Sequence, residues 1–228
     1  MAQNNFDLTG VLLLKQVTPV IKALFGGFNL DTSVATGIQD GQAYIAKTEG
    51  DCDPSWDNIR EELLELTKTL KLPLDPVAME DESIEEILSA LAEHFGSSGN
   101  VDLLNLLDHE RTHFKDDAEL EDLVTIAKAF DDGHGLKGIL TEAAWTSNRP
   151  RLFEFGGCGA YVGTHVQVYS NTSTAGLVGR PLDEALETGN LEAAVQVIYR
   201  EFDDLLDGIR DEAVRAQVKA RLGQRLCA

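Results

Sequence analysis

Two hydrophobic periods share this chain, and together they limit its fold more than any other feature. Through the middle, apolar residues recur every three to four positions, as in Trp56, Ile59, Leu63, Leu66 and Leu70. From Arg151 they alternate instead, in "RLFEFGGCGAYVGTHVQVYS". The first spacing lines one face of a helix and the second one face of a strand. The fold class expected is α+β: predominantly helical, with a small antiparallel sheet built from two β-hairpins and an acidic helical subdomain.

Local signals place the elements. Leu12–Phe25 reads as a helix bent or restarted at Pro19 and ended by Gly26-Gly27. Asp53-Pro54 opens a second helix that Pro73 stops. Ser83 and Glu86 form a capping box ahead of Ile84, Ile87, Leu88, Leu91 and Phe95, closed by Gly96. Val101–Phe114, Asp117–Phe130 and Leu136–Trp145 read as three more helices.

The first hairpin is expected in "TSVATGIQDGQAYIAKTE", turning at Asp40-Gly41 because that dipeptide tolerates positive φ. In the second, Gly156–Gly159 reads as a tight connection. Val162, Val166 and Val168 then share one face, and Tyr161, His165, Gln167 and Tyr169 the other.

The C-terminal third returns to helices. Pro181–Glu187 is short; Thr188-Gly189-Asn190 then caps a longer helix with Leu191, Ala194, Val195, Ile198, Phe202, Leu205 and Ile209 inward. "ALETGNLEAAVQVIYREF" resembles the turn and second helix of a tetratricopeptide unit over eighteen residues. No recurrence at that family's period of about 34 residues accompanies it, so a generic helical hairpin is the other reading. Three regions result: helix, hairpin and helix over 1–74, an acidic helical subdomain over 75–147, and a hairpin with C-terminal helices over 148–228 that completes the core. The order helix, hairpin, helix in 11–72 recurs in 136–208 without residue identity.

Charge narrows function. The net charge of −20 opposes nonspecific binding to nucleic acid or anionic lipid. Residues 75–132 hold seventeen acids against three bases, whereas the last sixteen residues carry Arg215, Lys219, Arg221 and Arg225 and no acid. In that tail Val214, Val218, Leu222 and Leu226 form an apolar stripe, suited to dock on its own domain or on the acidic region of another copy as a homo-oligomer. Cys52, Cys158 and Cys227 show no paired spacing, which fits a reducing cytoplasm. The N-terminus lacks a basic region of the secretory type, and no run reaches the roughly 18 apolar residues of a membrane span.

One motif carries metal chemistry. In "LLDHERTH", His109 and His113 lie four apart, one helical turn, where both imidazoles can ligate zinc while Glu110 serves as general base on a zinc-bound water. These residues resemble the zincin motif, in whose families the two histidines bind zinc and the glutamate activates water. Arg111 and Lys115 depart from that pattern, and positive charge beside Zn²⁺ opposes binding. Glu119, Glu121, Asp132, His134 and Glu142 are all candidates for a third ligand. The chain has no Walker loop, dinucleotide fingerprint or nucleophile elbow. A dyad of Cys158 with His165 or His134 is conceivable, but a small buried cysteine is the default. Adjacent acids such as Asp203-Asp204 point to different sides of a helix and do not converge.

Two functions are therefore expected. One is a soluble acidic binding or adaptor protein, with no cofactor, that engages a basic protein partner through Glu119, Glu121 and Asp122. The alternative is a zinc-dependent hydrolase using His109, Glu110 and His113, holding about one zinc per chain that is lost on substituting either histidine.

Overall fold

Both hydrophobic periods are realised as α+β structure. The computed structural model describes residues 4–33, 36–48, 54–72, 83–108, 114, 116–148 and 155–227. In chain order these form β1 (Asn4–Leu13), α1 (Pro19–Phe25), β2 (Gln42–Lys47), α2 (Trp56–Thr69), α3 (Ile84–His94), α4 (Val101–Asp108) and α5 (Leu120–Ala129). There follow β3 (Gly138–Ser147), β4 (Gly156–Gly163), β5 (Gln167–Asn171), α6 (Thr174–Glu187), α7 (Leu191–Asp207) and α8 (Glu212–Leu226). The strands form an antiparallel sheet in the order β2-β1-β3-β4-β5. No helix among the described residues is long and apolar enough to cross a membrane.

The chain divides into two units, Phe6–Leu140 and Thr141–Ala228, the second including Met1–Asn5. The first holds most of the large buried side chains, among them Leu12, Leu24, Phe25, Trp56, Leu91 and Phe130. Its helices pack α1 on α2 and α5, α2 on α3, and α4 on α5. The capping box forms as expected: the Glu86 amide donates to Ser83 Oγ (3.3 Å), and the Ser83 amide to Glu86 Oε2 (3.1 Å).

Several expected elements differ, among them the helix expected over Pro181–Glu187, which is the longer α6. The predicted helix over Leu12–Phe25 is a strand followed by a shorter helix, because proline disfavours helical backbone in the preceding residue. Thr18 is accordingly extended at φ −111°, ψ 174°, and α1 starts at Pro19. β2 pairs along its length with β1, in a register running from Leu8 opposite Lys47 to Leu13 opposite Gln42, while the expected hairpin leaves one bridge of Asp31 to Tyr44 among the described residues. Asp40-Gly41 is still a turn, with Gly41 at φ 81°. Leu136–Trp145, read as a helix, is largely β3. From Ile139 to Ser147 its burial alternates, with Thr141 inward and Leu140, Glu142, Ala144 and Thr146 exposed.

In the second unit, Gly156–Gly159 belongs to β4 rather than to a connection. A Cβ on Gly156 would collide with the Trp145 ring, and one on Gly157 would lie 2.8 Å from the Ala143 carbonyl oxygen. These glycines let β4 pass beneath an aromatic side chain. Gly156→Ala is expected to lower stability by about 1–3 kcal/mol, read from the urea midpoint, and an unchanged midpoint would contradict this packing. The turn falls at Thr164-His165, where the Gly163 amide donates to the Val166 carbonyl (2.9 Å). Val162 is thus opposite Gln167 while Val168 is opposite Tyr161, so the two valines face opposite sides of the sheet. Val162 is buried and Val168 exposed.

Candidate functional site

His109, Glu110 and His113 lie outside the described residues, so the zinc reading rests on sequence spacing alone. The third-ligand candidates are placed. Glu119 is exposed at the N-cap of α5, and Glu121 and Asp122 occupy its first turn, half-buried and each with a partner. Acidic residues there stabilise the positive end of the helix. Glu142 stands on the exposed face of β3.

Asp131, Asp132 and His134 place one ligand atom each within 4.8 Å of one another. Their hydrogen bonds are to backbone. His134 is 1% exposed. Its Nδ1 accepts from the Leu136 amide (2.9 Å), and its Nε2–H donates to the Ala127 carbonyl (3.0 Å). Both ring nitrogens are thereby engaged, the first nitrogen's acceptor role placing the proton on the second. Asp132 Oδ2 accepts from the Val20 amide (3.2 Å) in the first turn of α1, 112 residues away. Asp131 Oδ1 accepts from the Gly133 and Gly135 amides (3.0 and 3.1 Å). This cluster ties the loop after α5 to α1.

Those amides, Gly135's foremost, hold the Asp131 carboxyl below its ordinary value of 3.8. A depressed folded-state pKa gives stability that is complete above the unfolded value and is lost as pH falls through the folded one. With 53% of the side chain exposed, the effect is modest. Asp131→Asn, which keeps an acceptor oxygen, should flatten the acid-side decline of the thermal midpoint below about pH 4. Coincident profiles for the two proteins would dismiss this contribution.

The second unit contains a concave site that no motif announced. A groove of 680 Å³ lies among β5, the start of α6 and the end of α7. Val168, Leu177 and Leu205 supply apolar surface, and Glu201, Asp204 and Asp207 supply carboxylates. Its volume is within the range of ligand sites, and β5 is the terminal strand of its sheet. Asp207 pairs with Arg215 at 3.3 Å. Glu201 and Asp204 have no ion-pair partner among the described residues. Adjacent acids diverge as helical geometry requires: Asp203 turns to Lys219 (2.9 Å), while Asp204 lines the groove.

Sequence periodicity identified the apolar face of α7 but assigned it inward. Only Ala194 and Leu206 of α7 are buried. The signal that could have located the groove is the spacing of Glu201, Asp204, Leu205 and Gly208, which share one side of the helix. Cys158, expected to be buried, is exposed on β4. Comparison with known proteins finds no family model, curated protein or solved structure that matches the chain.

Proposed function

We propose that the protein is a binding or adaptor protein that engages a basic protein partner, and that the groove among β5, α6 and α7 receives a basic, amphipathic segment of it. The observation carrying this reading is the juxtaposition in one groove of exposed apolar side chains with Glu201 and Asp204, two carboxylates lacking a cationic partner among the described residues. Apolar contact supplies most of the affinity in such sites, and charge supplies orientation and association rate. The acids of residues 75–132, including Glu119, Glu121 and Asp122, add a long-range field that attracts cationic partners.

Fluorescence anisotropy with a labelled lysine–leucine amphipathic peptide, at nanomolar protein, tests this. Glu201→Gln, Asp204→Asn and Asp207→Asn combined are expected to weaken binding about tenfold, mainly through the association rate. A glutamate–leucine peptide of the same pattern should not bind. Equal binding of both peptides, or of wild type and triple variant, would remove the basis for the reading.

A further inference from the structure

The C-terminal helices leave most of their apolar side chains in solvent. Along α7, Leu191, Val195, Ile198, Phe202 and Leu205 follow at alternating spacings of four and three, and are 69%, 55%, 45%, 37% and 53% exposed. This is the heptad seam of a helix that packs lengthwise on another helix. α8 has no buried residue, and its Val214, Val218 and Leu226 are likewise exposed. Contiguous apolar surface of this kind marks an interaction site.

The charges on these two helices are complementary but only partly matched within the chain. Lys219 pairs with Asp203 and Arg215 with Asp207. Glu201 and Asp204 on α7, and Arg221 and Arg225 on α8, have no ion-pair partner among the described residues. Glu192 and Arg200 on α7 and Glu212 on α8 likewise have no ion-pair partner among the described residues; of the unmatched acids, Glu201 and Asp204 are the two that line the groove.

α8 is held away from the groove of its own chain. Residues 208–211 connect it to α7, and they are pinned to the start of β5: the Gln167 amide donates to the Gly208 carbonyl (2.8 Å), and the Arg210 amide to the His165 carbonyl (3.0 Å). A Cβ on Gly208 would collide with the Gln167 carbonyl oxygen, so the crossing is close. From there the Lys219–Asp203 pair keeps α8 on the Asp203 side of α7, while Glu201, Asp204 and Leu205 face the groove.

We infer that a second copy of this chain fills the site: α8 of each copy lies along the α7 seam and groove of the other, with Arg221 and Arg225 facing Glu201 and Asp204 across the interface. This rests on the groove reading above and names its occupant. Each copy supplies both an acidic seam and a basic helix, so the contact is self-complementary and closes as a two-fold dimer. A basic partner segment binds by displacing α8.

Charge exchange tests the inference on the full chain. Arg221→Glu with Arg225→Glu, and Glu201→Lys with Asp204→Lys, are made as two separate double variants, and mass is followed by sedimentation over a concentration series. The wild type is expected to dimerise. Each double variant alone should dissociate at about tenfold or more higher concentration, because like charges then oppose one another. An equimolar mixture should restore a heterodimer, since each α8 again meets an opposite charge. Far-UV circular dichroism verifies the fold, and Phe202→Asp, which leaves all of these charges in place, should also abolish association.

A wild type that stays monomeric, double variants that dimerise like wild type, a mixture that fails to associate, or a dimeric Phe202→Asp protein would each overturn the dimer. The underlying reading fails separately. A monomeric wild type that binds the lysine–leucine peptide overturns the dimer alone, whereas an Arg221→Glu/Arg225→Glu protein that cannot bind the peptide overturns the groove.

Discussion

Trp56→Ala should lower the stability of the protein by about 3–5 kcal/mol, the largest loss expected from a single apolar truncation here. Trp56 is 2% exposed and opens α2, where the Ser55 hydroxyl accepts from the Asn58 amide. Its ring meets Phe114 edge to face at 4.7 Å and 89°, and its amide donates to the Asp116 carbonyl (3.0 Å). The Ala118 amide donates to the Pro54 carbonyl (2.9 Å), and Lys47 forms an ion pair with Asp117. The indole therefore lies where the approach to α2 joins the approach to α5, and truncation leaves a cavity that two backbone bonds prevent from closing. For a domain with about 5–15 kcal/mol of total stability, that is a large share. The thermal midpoint should fall by roughly 10 °C, followed by far-UV circular dichroism. A shift of a degree or two would mean that Trp56 is less confined than its burial indicates.

His134→Leu should cost about 1–3 kcal/mol by a different route. Leucine fills much of the same space, so the loss is polar: the Leu136 amide is left unpaired, at about 1–3 kcal/mol when buried, while the Ala127 carbonyl keeps its bond from the Phe130 amide (3.1 Å). The backbone of His134 is also used, its carbonyl accepting from the Lys15 amide (2.7 Å) beside β1. Amides of residues 127–136 should lose hydrogen-exchange protection in the variant. Unchanged protection and midpoint would show that the two side-chain bonds contribute nothing net. The experiment distinguishes a histidine that organises a loop from one merely adjacent to Asp131 and Asp132.

The features legible in sequence were those whose cause is local. Ser83 and Glu86 are three residues apart and satisfy each other's neighbouring amides, so the capping box needs nothing from the rest of the fold. Asn190 likewise accepts from the Ala193 amide (3.1 Å) and starts α7 as expected. β3 was illegible because Leu140, Glu142, Ala143 and Ala144 are good helix formers, and pairing within the sheet overrode that propensity. β1 was obscured by an unbroken apolar run, Val11–Leu14, which a strand between two neighbours can carry on both faces.

The groove shows the same limit on a larger scale. Helical spacing identified Leu191, Val195, Ile198, Phe202 and Leu205 as one face, but periodicity records only that a face is apolar, not what covers it. The zinc spacing at His109 and His113 poses the converse problem: the local signal is plain, and its meaning depends on residues elsewhere that spacing cannot bring together. The acidic excess of residues 75–132 was equally plain, yet its half-buried members Glu121 and Asp122 serve the first turn of α5. The groove's carboxylates come from α7, which is as acidic per residue but much shorter.

Photo-crosslinking of the lysine–leucine peptide to the full chain, with adducts mapped by mass spectrometry, tests the central claim most directly. Adducts are expected on the groove around Val168, Leu177 and Leu205, and should be lost when Glu201, Asp204 and Asp207 are neutralised together. Adducts confined to α3–α5 around Glu119, Glu121 and Asp122, or scattered without preference for the groove, would contradict it.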